Sequence, residues 1–166
     1  MLMISKTVAH NPRNETERAK QAIQGLVGKK CWKATFAYGG ELHLHFGAHV
    51  PYSSPRMAGQ TKGAWRLGTC GTPWTLETSG RKVSSRQIEK QLECAIKSIE
   101  GCAVRSVKVT VCILSLKFDN GWTLLVTPSA EDEKFEDIPY WELFMPRHMM
   151  VTFGSGAVWS FRRSNQ

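Results

Sequence analysis

A helix-like segment that stops at a glycine and hands over to a strand pair occurs twice in this chain. That duplication limits the possible folds more than any other feature. The first copy runs from Gly28-Lys29-Lys30-Cys31-Trp32 to Leu42-His43-Leu44-His45-Phe46. The second runs from Gly101-Cys102-Ala103-Val104-Arg105 to Leu114-Ser115-Leu116-Lys117-Phe118. In the first, Leu42, Leu44 and Phe46 alternate with Glu41, His43 and His45, the two-residue period of a strand buried on one side. Ahead of each copy, apolar residues recur at helical spacing: Ala19, Ala22, Ile23 and Leu26, then Ile88, Leu92, Ala95, Ile96 and Ile99. Placing Gly28 on Gly101 sets Ile23 on Ile96 and Leu26 on Ile99 at an offset of 73, whereas the strand leucines match at 72. One residue lost in the hairpin reconciles the two.

The local signals around this unit are consistent with it. Asn14 with Glu17 and Ser84 with Gln87 have the spacing of helix-starting capping boxes, and Gly28 and Gly101 sit where helices end. Residues 1–13 show no period and are expected to form a loosely held arm. Tyr38-Gly39-Gly40-Glu41 marks a tight reversal. A polar stretch over 47–63, with Pro51, Pro55 and Gly59, is expected to be a long loop. Strands are expected at 64–69, 74–78, 122–127, 140–145, 148–153 and 157–162, with 80–84 the seam between two halves, 14–80 and 84–163. The expected fold is therefore α+β: strand-rich antiparallel sheets with two helices, each helix leading a β-meander. Neither half has much core alone, so residues 1–166 are expected to fold as a single domain.

Composition narrows the function classes. No apolar run approaches the roughly 20 residues of a membrane span, and the opening Met1–Lys6 segment lacks the layout of a signal peptide. A soluble, cytoplasmic protein is the expectation. Five cysteines without a C-x-x-C pair fit buried thiols in a reducing compartment better than a redox or metal motif. The formal net charge is +8, yet five of the fourteen carboxylates fall within residues 131–137. The remaining surface is more basic than the total implies, which suits nucleic acid or an acidic protein partner.

The candidate sites follow from residue types and spacing. Lys29, Lys30 and Lys33 lie near Trp32, while Arg56, Lys62 and Arg66 lie near Trp65. Cations beside aromatic rings serve single-stranded nucleic-acid surfaces and protein hot spots alike. The binding set expected from this pattern is Lys30, Trp32, Lys33, Tyr52, Arg56, Lys62, Trp65 and Arg66. The six tryptophans fall in or beside strands, where most should be buried. His43-x-His45 with His49 could offer zinc two or three nitrogens, but the matching residues of the second copy, Ser115 and Lys117, belong to a solvent-facing row. A metal site is accordingly not expected. Cys70, in a turn, would need a base and a lowered pKa to act as a nucleophile. No paired carboxylates and no phosphate-cradling glycine loop before a helix are present, so neither catalysis nor a cofactor is expected.

One resemblance can be drawn. Leu26-Val27-Gly28-Lys29-Lys30-Cys31-Trp32, Gly63-Ala64-Trp65-Arg66-Leu67, Leu116-x-Phe118-Asp119-Asn120-Gly121 and Trp141-Glu142-Leu143-Phe144-x-Pro146 carry it. With Val151-x-Phe153-Gly154-x-Gly156, these patterns resemble an uncharacterised bacterial family of hypothetical proteins with Trp-x-Leu repeats. The resemblance covers most of residues 22–160 and brings no catalytic residues with it. It implies a small accessory or mobile-element-type protein. The expected function is a non-enzymatic protein-binding module, immunity- or inhibitor-like, using the 47–63 segment. The alternative is a nucleic-acid-binding domain with a basic, aromatic-lined surface.

Overall fold

The alternating segments of the sequence become the strands of two antiparallel sheets. The computed structural model describes residues 12–164; all but the last two residues of the expected N-terminal arm lie outside them. In chain order the elements are α1 (Pro12–Ile23), β1 (Cys31–Phe36), β2 (Leu42–Pro51), β3 (Thr61–Thr69), β4 (Trp74–Thr78), β5 (Arg81–Ser84), α2 (Glu89–Lys97), β6 (Val104–Thr110), β7 (Ile113–Phe118), β8 (Thr123–Val126), β9 (Trp141–Met145), β10 (Met149–Gly154) and β11 (Val158–Arg163). One sheet has six strands in the order β1-β2-β3-β9-β10-β11, and the other has five in the order β5-β4-β8-β7-β6. The α+β class and the antiparallel sheets agree with the sequence.

The halves of the chain do not each own a sheet. After the β1-β2-β3 meander the chain crosses over, and β4 pairs with β8. After the β6-β7-β8 meander it crosses back, and β9 pairs with β3. Residues 80–84, expected as a seam, instead contain β5, hydrogen-bonded to β4. The sheets also meet at the starts of β1 and β6. There Lys30 and Ala103 form an antiparallel bridge, flanked by Gly28 N–H to Val104 O at 2.8 Å and Cys31 N–H to Cys102 O at 2.9 Å.

Alternation decides which face is buried. Ala34, Leu44, Leu67, Leu143 and Val151 stand side by side across the six-stranded sheet and are all buried. Val83, Leu76, Leu124, Leu116 and Val107 do the same across the five-stranded sheet. These rows and the apolar sides of both helices form one core, with Trp74 and Trp141 its largest buried side chains. Rings of that size each remove about 150–250 Å² from water. Trp32, Trp65, Trp122 and Trp159 are only partly covered.

Three local expectations are corrected. The first helix includes Asn14, so that residue is no cap; Pro12 is the first helical residue described, and proline suits a first turn because its missing N–H has no partner there. The second helix starts at Glu89, not after Ser84. Ser84 is held in the sheet opposite Thr75, and its bonds with Arg86 and Gln87 make a turn ahead of the helix. The expected loop over 47–63 shrinks to residues 52–60, because β2 continues to Pro51 and β3 begins at Thr61. A bulge between Phe46 and His49 permits this. Gly47, at φ +72°, takes the left-handed conformation there that side-chain-bearing residues avoid.

Candidate binding surface

The outward face of the six-stranded sheet carries a row fixed by strand register: Lys33, His45, Arg66, Phe144, Met150 and Arg162. Neighbouring strands lie about 4.8 Å apart, so the row extends for roughly 24 Å. Three cations stand along it, and the Arg66 guanidinium lies 4.5 Å from the centre of the Phe144 ring. The next row toward the other end of the strands is Thr35, His43, Gly68, Glu142, Thr152 and Ser160.

On the other side of Arg66, β3 places Lys62 and Ala64 outward, at the edge of a depression of about 300 Å³. Lys62 Nζ sits 5.1 Å over the ring of Tyr52. The far wall is the β9–β10 turn, Pro146-Arg147-His148. Burial, with the charge of Arg66 beside it, holds the Lys62 ammonium below the ordinary lysine pKa. Arg66 and His148 are also engaged by other groups of the chain.

The face is polarised along its strands. Glu142 and Glu41 lie toward the end of β3 opposite the depression, and burial raises the Glu142 pKa, with Arg66 and Arg162 partly offsetting the rise. The acidic segment 131–137 lies at that end too. It is tethered by Tyr140, whose hydroxyl donates to Glu133 at 2.5 Å, and it flanks a small depression shared with Cys70.

The sequence-derived binding set is only partly brought together. Tyr52, Lys62 and Arg66 form a continuous patch, and Lys33 joins them along the row. Trp32 is on the same face, its ring stacked on His49 at 3.7 Å and edge-on to His45 at 5.4 Å. Trp65 is not, since it pairs with Phe46 on the inward side and lies against Gly25, with Lys29 Nζ 5.0 Å over its ring. Lys30 sits at the junction of the sheets. Arg56 is exposed in the short helical turn at the tip of the β2–β3 hairpin.

Phe144, Arg147, His148 and Arg162 were missed by the sequence pattern. Only the pairing of β3 with β9 makes them neighbours of Arg66, and the one local hint was Pro146 marking a turn.

The histidines do not converge as ligands. His45 Nδ1 accepts the Gly63 N–H at 3.1 Å, and burial, followed by the charges of Lys33, Arg66 and His43, lowers its pKa to about 4. His49 lies beyond the bulge and is committed to Trp32. Among the described residues no group of three or more His, Cys, Asp or Glu side chains is placed to hold a metal ion. Burial, then the carboxylates Glu142 and Glu41, pushes the Cys70 thiol up to about 12, which is the wrong direction for a nucleophile. No helix among the described residues is long and apolar enough to cross a membrane. The sequence matches no protein-family model, and neither curated proteins nor solved structures provide a match.

Proposed function

We propose that the protein is a non-enzymatic binding module that takes a single-stranded nucleic acid along the outward face of its six-stranded sheet. The observation that carries this is the register-fixed row Lys33–His45–Arg66–Phe144–Met150–Arg162, continued by Lys62 into the basic depression. Cations interleaved with accessible ring faces hold backbone phosphates and stack bases without reading sequence; here the half-buried Phe144 and Tyr52 are those rings, while His45 and Met150 between the cations are buried. A protein interface would instead want an exposed apolar centre. Of the exposed large apolar residues of the described chain, Val158 falls on this face, opposite Gly154 and two rows beyond the cationic one, so none stands among the cations. Five free thiols suit a reducing, cytoplasmic setting.

A second reading, an acidic protein partner on the same face, is favoured by one observation. Glu142 and Glu41 make the face dipolar, and a polarised surface orients a folded partner better than a uniform polyanion.

Fluorescence anisotropy with labelled single-stranded oligonucleotides at about 50 and 200 mM salt separates the two. The expected affinity falls with salt at a log–log slope of about 2 to 3, from roughly 0.7 per phosphate contact. Lys33→Met should lower that slope by somewhat less than one unit. An absence of binding at the lower salt removes the nucleic-acid reading, and capture of the protein by an immobilised acidic polypeptide would then support the second.

A further inference from the structure

The depression between the β2–β3 hairpin and the β9–β10 turn has a chemistry narrower than that of the face it adjoins. At about 300 Å³ it is at the small end of ligand pockets. Its lining holds no carboxylate among the described residues: Lys62 and Arg66 come from β3, Arg147 and the His148 imidazole from the turn, with the Ser53 and Ser164 hydroxyl groups beside them. Phe144 and Pro146 supply an apolar wall.

The turn itself is held in an unusual conformation. Arg147 and His148 are consecutive side-chain-bearing residues at φ +62° and +56°, a region that disfavours L-residues by roughly 1–2 kcal/mol each. Ser164 N–H donates to the His148 carbonyl at 2.6 Å and pins the turn. Strain of this kind collects where a fold positions groups for a ligand, and here it presents two basic side chains to one pocket.

We propose that this pocket binds a phosphate monoester, the terminal phosphate of a nucleic-acid strand or that of a free mononucleotide. The inference rests on the polyanion reading of the sheet face only for the strand as source. A monoester carries about −1.5 to −2 charges and three acceptor oxygens, whereas an internal diester carries one charge. Arginines match that oxygen geometry with paired N–H donors. The row passes the β9–β10 turn side-on to reach Arg162, so a strand enters the pocket only by leaving the row at Arg66 toward Lys62, where the turn closes its path and the pocket takes its end. The lowered pKa of Lys62 is the companion observation, because an arriving dianion favours its charged form.

The test uses the full chain and four probes: one labelled oligonucleotide with a 5′-phosphate, with a 3′-phosphate and with neither, and an unlabelled nucleoside monophosphate as competitor. One of the phosphorylated ends should bind about tenfold tighter than the hydroxyl-ended strand. Arg147→Gly removes the guanidinium while supplying the residue best suited to that backbone, so it should fold and abolish the preference. Lys62→Met, which removes the ammonium over Tyr52 and keeps an unbranched aliphatic side chain, should reduce the preference as well. Direct binding of the mononucleotide, read by isothermal titration calorimetry, without binding of any oligonucleotide keeps the pocket, assigns it to free nucleotides and removes the sheet-face reading. Equal binding of all three oligonucleotides without mononucleotide competition overturns the pocket and leaves the sheet-face reading standing. Binding of no probe overturns both.

Discussion

Arg66 and Phe144 stand opposite each other across the junction of β3 and β9, with the guanidinium carbon 4.5 Å from the ring centre. The pair joins strands from opposite halves of the chain at the middle of the six-stranded sheet. It also limits where Arg66 can place its N–H donors, because the guanidinium is held over the ring.

A contact of this kind contributes about 0.5–1 kcal/mol at a partly exposed site. A double-mutant cycle of Phe144→Leu and Arg66→Met, followed by urea unfolding, is expected to return a coupling energy in that range. The same Phe144→Leu variant should weaken oligonucleotide binding several-fold, since stacking on a ring is worth about 1–3 kcal/mol per base. A coupling energy of zero with unchanged binding would mean that the ring only fills space.

Gly63 tests the bulge that lets β2 and β3 extend past the expected loop. A Cβ at this position would lie 2.7 Å from both Phe46 N and Trp65 O, backbone atoms that cannot swing away. Gly63→Ala should therefore destabilise by at least about 2–3 kcal/mol, toward the upper end of overpacking effects. Gly59→Ala, at the hairpin tip, meets nothing within 4 Å although its φ is +79°, and should lose only about 1 kcal/mol. Chemical denaturation of the two variants side by side checks the ordering.

How much of this was written locally in the sequence differs by element. Leu42-x-Leu44-x-Phe46 and Leu114-x-Leu116-x-Phe118 announced strands and their buried faces correctly, because a period of two has one structural meaning when flanked by turn residues. The loop over 47–63 was misjudged because proline and glycine normally punctuate. Here Gly47 serves a bulge, and Pro51 closes a strand at its end, where no ladder N–H is needed. The exchange of strands between sheets was not legible. Nothing near Thr69 or Trp141 says that they pair, and that register is what places Arg147 and His148 beside Lys62. Trp65 shows the converse: adjacent to Arg66 in sequence, it faces the other way because successive strand residues do.

The thiols give a prediction with no binding assay. Burial raises both Cys31 and Cys70 to about 12, which leaves on the order of one thiolate in ten thousand or fewer near neutral pH. Cys94 is exposed on α2. Brief alkylation of the native protein at pH 7.5, read by peptide mass spectrometry, should modify Cys94 and spare Cys31 and Cys70, while unfolding in urea exposes all three. Rapid native modification of Cys70 would contradict the packing around it and reopen the nucleophile reading.

His45 makes the fold sensitive to acid. The residue is 7% exposed, its Nδ1 accepts from Gly63 N–H, and its pKa is lowered from 6.5 to about 4. The folded state therefore keeps His45 neutral through a range in which the unfolded chain protonates it. Between pH 6.5 and 4 the unfolded state binds more protons, so stability falls as pH falls, and the contribution is fully present above 6.5. At pH 4.5 the loss attributable to this one ring is on the order of 2 kcal/mol. Carboxylates titrate in part of the same window, so the comparison must be with a variant lacking only the imidazole. His45→Asn can keep an acceptor near the position of Nδ1 and has no proton to gain. Urea unfolding at pH 7 and pH 4.5 should show the wild-type protein losing more stability than His45→Asn by about that amount. Equal losses in the two proteins would show that His45 protonates in the fold as readily as in the unfolded chain, which the Gly63 bond and the neighbouring Lys33 and Arg66 oppose.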